Sequence, residues 1–225
     1  MDPVSAEQPN LSEGRRPRAI LLALLTLAAV LVFLWLGEDV HTSRTQNVDN
    51  QVRTAVHAWA SPARTWLMRG VTQLGSTPIV TTLAVVTVVV FLKLKWKRAA
   101  ILLAIDLGGA VVLDIFLKDV FQRPRPQPFF GIPPPHTYSF PSGHALLSIC
   151  FYGMLAALVT TRLERPLVRG VTWVLAVLLV LAIGFSRVYL GVHYPTDVLG
   201  GWTIALAWAS VLLTFDKPES LPRGG

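Results

Sequence analysis

The stretch AILLALLTLAAVLVFLWL, from Ala19 to Leu36, runs for 18 residues without a charge. An α-helix needs ~20 such residues to cross the hydrocarbon core of a bilayer. Before it stand Arg15, Arg16 and Arg18, and after it Gly37-Glu38-Asp39. A cleaved signal peptide would carry a shorter apolar region ending at a small-residue site. The stretch therefore reads as an uncleaved first span.

The rest of the 225-residue chain follows the same pattern. Hydrophobic residues make up 52% and charged residues 15%, against about 25% charged in an ordinary soluble domain. Further apolar segments lie at about 77–92, 99–117, 145–161, 171–190 and 197–215. The segment at 77–92 is the shortest and is rich in valine. Between the first two spans, Val52, Val56, Trp59, Trp66 and Leu67 recur at helical spacing among Arg53, Arg64 and Arg69, the pattern of an amphipathic helix lying in the membrane interface. The expected fold is all-α: an integral membrane bundle of six transmembrane helices with one interfacial helix after the first. A tail at 1–18, a six-span domain at 19–215 and a tail at 216–225 complete the expected organisation.

The net charge of +7 raises nucleic acid as a partner. The basic residues, however, fall in short groups between apolar runs, which suits the positive-inside rule better than a nucleic-acid stripe. With the N-terminus cytoplasmic, the N-tail, the 93–98 and 162–170 loops and the C-tail hold Arg15, Arg16, Arg18, Lys93, Lys95, Lys97, Arg98, Arg162, Arg165, Arg169, Lys217 and Arg223, which is 12 of the 20 basic residues. Both termini are expected in the cytoplasm, and a bacterial inner membrane suits such a chain. The lone cysteine, Cys150, lies in an apolar run and reads as a packed thiol.

This topology gathers the unusual polar residues at one face. Lys118 ends the third span and Arg125 follows in Lys118-Asp-Val-Phe-Gln-Arg-Pro-Arg125-Pro126. Pro141-Ser142-Gly143-His144 opens the fourth span, Ser186-Arg187 closes the fifth, and His193 and Asp197 open the sixth. The loop from Pro124 to Pro141 contains seven prolines, which forbid regular helix and stiffen it. Three cations beside two histidines suit a phosphate, whose oxygens gain negative charge during transfer. Arginine binds phosphate as a fork and lysine as a point charge. The backbone N–H groups near Ser142 and Gly143 open a helix, where anions are favoured. His193 and Asp197 are four residues apart, so the carboxylate can hold one imidazole nitrogen and leave the other free. Spacing alone does not decide which histidine attacks and which acts as acid.

Lys118-x6-Arg125-Pro126, Pro141-Ser142-Gly143-His144 and Ser186-Arg187-x5-His193-x3-Asp197 resemble the three motifs of the type 2 phosphatidic acid phosphatase superfamily. That group includes lipid phosphate phosphatases, bacterial phosphatidylglycerophosphate phosphatases, undecaprenyl pyrophosphate phosphatases and vanadium haloperoxidases. All three motifs are complete and in order within residues 118–197. The resemblance implies a lipid phosphatase of the bacterial membrane branch, acting at the extracytoplasmic face through a phosphohistidine at His193. It implies Asp197 as its orienting partner and His144 as general acid. Lys118, Arg125, Ser142, Gly143 and Arg187 would bind the phosphate. No metal or cofactor is implied, and the sequence has no carboxylates or cysteines clustered at metal-ligand spacing. The expected partners are a lipid phosphate substrate and the membrane lipids; phosphatidylglycerophosphate, phosphatidate and undecaprenyl pyrophosphate all fit.

A lipid-phosphate binding or transport protein without turnover is the alternative from another class, and a haloperoxidase is a third. The six spans argue against the haloperoxidase. Among the remaining polar residues, Asp114 stands one turn from Lys118 and either orients it or serves a structural partner. Asp106 is expected to make an interhelical hydrogen bond. His136 is expected in the solvated Pro-rich loop, and His41 and His57 at the interface. Trp173, Trp202 and Trp208 are expected to pack between helices or to face lipid.

Overall fold

The computed structural model describes residues 15–133 and 135–215. Most of the two expected tails, with Lys217 and Arg223, therefore lies outside the described residues. Eight helices organise the described residues: α1 (Arg15–His41), α2 (Gln46–His57), α3 (Pro62–Gln73), α4 (Thr77–Lys93), α5 (Lys97–Phe121), α6 (Gly143–Thr160), α7 (Pro166–Tyr189) and α8 (Pro195–Thr214). No strand occurs among the described residues. The reason is the solvent: in hydrocarbon every backbone N–H and C=O must be paired internally, and a helix does this within one segment.

Five helices, α1, α5, α6, α7 and α8, are long and apolar enough to cross a membrane. The valine-rich α4 has 17 residues, about 26 Å at 1.5 Å per residue, short of a ~30 Å core. It joins α3 through a 47° bend, and the bent pair together makes a sixth candidate span. Ser61 caps α3 by accepting the Arg64 N–H, and Pro62 and Pro78 stand in the first turns of α3 and α4, where a missing N–H costs nothing.

α6 is the most enclosed of the spans, packed by α4, α5, α7 and α8. Its middle is a π-helical turn, Ile149–Gly153, containing the buried Cys150. Leu103, Leu146, Cys150, Phe151 and Met154 form the centre of the main core. The outer faces of α1 and α7 expose Ile20, Leu21, Leu24, Leu167, Val174 and Leu175, a surface suited to lipid tails and not to water.

Close contacts between spans depend on glycine. A Cβ on Gly109 of α5 would stand 2.2 Å from Trp208 of α8, and one on Gly184 of α7 would stand 2.2 Å from Trp202. Both indoles thus pack between helices, as expected, while Trp173 is exposed on the outer surface. Asp106 is fully buried but makes its interhelical bond through the backbone: its carbonyl accepts the Trp208 indole N–H at 2.9 Å. Its carboxyl oxygens have no nitrogen or oxygen partner among the described residues and stand beside the Cys150 thiol of α6.

The segment after the first span differs from the single interfacial helix expected. It forms two helices, and α2 turns its polar side inward. Asp49 is 1% exposed and Arg53 9%, while Val48 and Val52 face outward. The periodicity marked a helix correctly, but its buried face carries Asp49 and Arg53 beside the partly buried Val56. α3 keeps the interfacial character, with Trp59 exposed in the turn before it and Trp66 exposed within it, the positions of an aromatic belt.

Candidate active site

α5 ends at Phe121 because Gln122 adopts a left-handed conformation, φ 45°, and its N–H returns to the Lys118 carbonyl. Pro124 and Pro126 then hold the chain extended. This turn sends Lys118, Arg123 and Arg125 in three directions from one short segment. Lys118 reaches back one helical turn to Asp114, with its ammonium 2.5 Å and 2.6 Å from the two carboxyl oxygens. Of the two readings left open for Asp114, the geometry realises the pairing with Lys118.

Arg125 crosses to the turn before α8. Its Nη1 donates to the Val192 carbonyl at 2.9 Å and lies 3.0 Å from His193 Nε2. Its other donors hold Thr137, with Nε to the carbonyl at 2.6 Å and Nη2 to the hydroxyl at 2.8 Å. An arginine only donates, so Nε2 of His193 accepts and carries the lone pair. The other nitrogen, Nδ1, faces Asp197 Oδ2 at 3.3 Å. Burial, first of all, pushes the His193 pKa down to about 3, with Arg125 and Arg187 lowering it further against the opposing pull of Asp197. The imidazole is neutral at physiological pH.

Asp197 is fully buried and satisfied on every side. It occupies the third position of α8 and accepts the Tyr194 backbone N–H at 2.8 Å, which caps the helix start. Ser139 donates to the same oxygen at 2.5 Å, and Arg123 Nη1 donates to Oδ1 at 2.6 Å. Arg123 also donates through Nη1 to Thr196 Oγ1 at 2.7 Å and through Nη2 to Asp49 Oδ2 at 2.6 Å.

The start of α6 completes the ring. The Ser142 N–H donates to the Asp197 carbonyl at 2.9 Å, fixing the two helix starts side by side. A Cβ on Gly143 would stand 2.8 Å from Asp114 Oδ1, so only glycine lets α6 approach the Lys118 pair this closely. His144 is half-buried and lies in the field of Arg187, His193, Lys118 and Arg125. Arg187, 8% exposed, donates from Nη1 to Thr72 Oγ1 of α3 at 2.6 Å. The Ser142 hydroxyl and Arg187 Nε are buried with no hydrogen-bond partner among the described residues. Unmet donors beside cations are what an anion would satisfy.

All eight residues expected in the site, Lys118, Arg125, Ser142, Gly143, His144, Arg187, His193 and Asp197, thus converge at one end of the bundle. Sequence reasoning missed Asp49, Thr72, Arg123, Ser139 and Thr196. Arg123 sits in the Arg-Pro-Arg-Pro segment, and its proximity to Arg125 was the one available signal. The others are single polar residues distant in sequence from every motif. His57 was expected as an ordinary interfacial residue; it stacks on Phe129 of the Pro-rich loop at 3.9 Å between ring centres. Among the described residues no group of three His, Cys, Asp or Glu side chains is placed to hold a metal.

Comparison with known proteins matches residues 98–219 to the PAP2 superfamily. Phosphatidylglycerophosphatase B of Bacillus subtilis is 32% identical over 194 residues, covering 83% of this chain and 92% of that protein. An undecaprenyl-diphosphatase of Sulfolobus acidocaldarius is 33% identical over 132 residues, 56% of this chain and 59% of its own length. Among solved structures, a transmembrane PAP2-type phosphatidylglycerolphosphate phosphatase from Bacillus subtilis superimposes with a TM-score of 0.78 at 28% identity, covering 84% of this chain and 94% of that one. LpxE of Aquifex aeolicus shares the fold, with a TM-score of 0.55 at 23% identity over 73% of this chain and 94% of its own.

Proposed function

This chain belongs to the PAP2 superfamily, and we propose that it hydrolyses a lipid phosphomonoester or pyrophosphate through a phosphohistidine at His193. The observation that carries the reading is the pairing of His193: Nδ1 faces Asp197 at 3.3 Å while Nε2, turned the other way, faces the cation Arg125 at 3.0 Å. Nε2 attacks phosphorus as the ester or anhydride oxygen departs on the opposite side. The P–O bond breaks as the P–N bond forms, and His144 gives the departing oxygen its proton. Asp197 stabilises the positive charge that the attacking ring acquires. Lys118, Arg125, Arg187 and the Ser142 and Gly143 donors take up the negative charge on the phosphoryl oxygens. His144, now deprotonated, accepts a proton from water, which cleaves the P–N bond and releases phosphate. The charge on the transferred group is met by side chains of this chain, and the reaction is proposed to need no metal.

A groove of about 650 Å³ supports a lipid as the substrate. It is lined by Val112, Ile115 and Phe116 of α5, by the Asp114–Lys118 pair, and by Asp119, His136, Thr137 and Tyr138. Thr137 is the residue held by Arg125. A lipid tail would lie on the apolar wall with its phosphate beside Lys118. With Asp114 already paired to Lys118, the lining groups Thr137, Tyr138 and Asp119 suit a glycerol-type linker better than a second phosphate, which Asp119 would repel. Phosphatidylglycerophosphate and phosphatidate are accordingly placed ahead of an isoprenyl pyrophosphate.

The basic residues of the short loops support a cytoplasmic location for both termini and an extracytoplasmic site in a bacterial cell membrane. The deciding experiment is phosphate release by the purified protein from phosphatidylglycerophosphate, phosphatidate and undecaprenyl pyrophosphate, in EDTA, with and without vanadate. Release in EDTA, blocked by vanadate and abolished in His193→Ala, is expected. Binding of the lipids with no release would sink the reading in favour of a non-hydrolytic lipid-phosphate binding protein.

A further inference from the structure

We propose that Asp49 and Arg123 are positioning residues for the nucleophile, acting on His193 through Asp197 and tying α2 to the reaction. The inference rests on the reading of His193 as the nucleophile.

Four groups form an unbroken path. Asp49 Oδ2 accepts from Arg123 Nη2 at 2.6 Å, Arg123 Nη1 donates to Asp197 Oδ1 at 2.6 Å, and Asp197 Oδ2 faces His193 Nδ1 at 3.3 Å. All are buried, with exposures of 1% for Asp49, 6% for Arg123, 0% for Asp197 and 1% for His193. Thr196 locks the joint between Asp49 and Arg123. Its hydroxyl donates to Asp49 Oδ2 at 2.6 Å and accepts from Arg123, and its N–H donates to Asp49 Oδ1 at 3.1 Å. The guanidinium also lies over the Tyr194 ring at 4.1 Å. A fork fixed at both ends in this way has one orientation to offer Asp197.

The bond from Asp197 to His193 is the longest that this carboxylate makes. It is therefore the one most sensitive to a rotation of the carboxyl group. Arg123 prevents that rotation by holding the oxygen that does not face the histidine. It also shares the negative charge of Asp197, which would otherwise act undivided on the imidazole. Burial by itself would lower the Arg123 pKa, but Asp197 and Asp49 outweigh it and raise it, so the fork stays charged throughout the working range. Asp49 neutralises Arg123 on its far side and anchors it to a helix that supplies none of the expected catalytic groups. A structural role in docking α2 does not by itself account for a chain of charges ending on the nucleophile.

The groups acting on His193 are Asp197 from α8, Arg125 from the Pro-rich loop, Arg187 from α7 and His144 from α6, while Lys118 of α5 acts on His144 and Asp197. Asp197 is the carboxylate among them. Removing Arg123 leaves more of its charge to stabilise a protonated His193, so the nucleophile is lost to protonation at higher pH.

The test uses the full chain in detergent, with the lipid phosphate it releases phosphate from fastest, for wild type, Arg123→Lys, Arg123→Met and Asp49→Asn. Arg123→Met is expected to lower kcat roughly 100-fold with KM moved less than about threefold, and to shift the acidic limb of the pH profile up by about one unit. Arg123→Lys restores part of kcat, and the isosteric Asp49→Asn loses roughly tenfold. If Arg123→Met does not fold, Asp49→Asn carries the same kcat and pH readout. Unchanged kcat and acidic limb in folded variants, with only thermal stability lowered, overturns the inference. Rapid-quench labelling with radioactive substrate separates the two readings. A wild type that forms no phosphohistidine overturns both; a phosphohistidine formed equally fast in wild type and in Arg123→Met overturns this one alone.

Discussion

Arg125 Nη1 lies 3.0 Å from His193 Nε2, so the guanidinium covers the nitrogen that would meet phosphorus. His193 is 1% exposed in this arrangement. On the proposed reading, a phosphate entering the site would offer Arg125 a doubly hydrogen-bonded partner and would draw it off the imidazole. On the proposed mechanism, the group that covers the lone pair is the one that would next hold the substrate's oxygen.

Arg125→Met is expected to lower kcat/KM by about 100- to 1,000-fold, the range for loss of one charge-stabilising donor. Vanadate inhibition, which reports anion binding without turnover, should weaken more than about tenfold. Arg125→Lys keeps the charge but not the fork that holds Thr137, and should fall between the two. Inhibition curves for the three proteins check this; equal vanadate affinity in all of them would remove Arg125 from the phosphate site.

The burial of His193 has a consequence for stability. Its pKa of about 3 in the folded protein lies below the ~6.5 of a free histidine. Above pH ~6.5 the group is neutral in both states and contributes no pH dependence. As pH falls from ~6.5 toward ~3, the unfolded chain binds a proton that the folded chain does not, and stability is lost. His193→Gln removes this term. Thermal unfolding in detergent at about pH 7 and about pH 4.5 should show a larger drop for wild type than for the variant.

Thr72 stands far in sequence from every motif, yet its hydroxyl accepts from Arg187 at 2.6 Å. Thr72→Val leaves a buried guanidinium short of a partner and free to swing, and should reduce kcat/KM by roughly tenfold. Thr72→Ser keeps the oxygen and should retain most of the activity. Steady-state kinetics of the pair separate the hydrogen bond from the packing of the methyl group.

Gly109→Val tests the helix packing. The new side chain would meet Trp208, whose nearest atom is already 2.2 Å from the position of a Cβ. A loss of about 1–3 kcal/mol is expected from overpacking, with Trp208→Ala relieving part of it in the double variant. The four melting temperatures of this cycle measure the coupling.

The spans at 99–117, 145–161, 171–190 and 197–215 were legible because each needs a predominantly apolar run, and runs are local. The span near 77–92 was harder for a physical reason: α4 alone is too short, and the bent α3 that extends it is not apolar. α2 was legible as a helix but not in its orientation. Val52 and Val56 suggested an amphipathic helix lying in the interface, whereas the partner surface made of Arg123, Tyr194 and Thr196 rewards burial of Asp49 and Arg53.

For the site, the motif residues were legible because the alternation of span direction brings Lys118, Ser142, Arg187 and His193 to the same end whatever the details of packing. Asp49 and Thr72 carried no such mark. Each is bonded to a residue more than seventy positions away, Arg123 and Thr196 in one case and Arg187 in the other, and nothing local distinguishes it from a surface residue.

The sequence by itself determined that the chain is an all-helical membrane protein and which charged residues share one end of it, because hydrophobicity, span length and span direction are read residue by residue along the chain. Only the tertiary structure decided how those residues face one another: that Arg125 covers Nε2, that Asp197 is held by Arg123 and Ser139 as well as by the helix it caps, and that α2 buries its charges against them. Those relations depend on angles and distances between segments far apart in sequence, where a difference of an ångström separates a hydrogen bond from none.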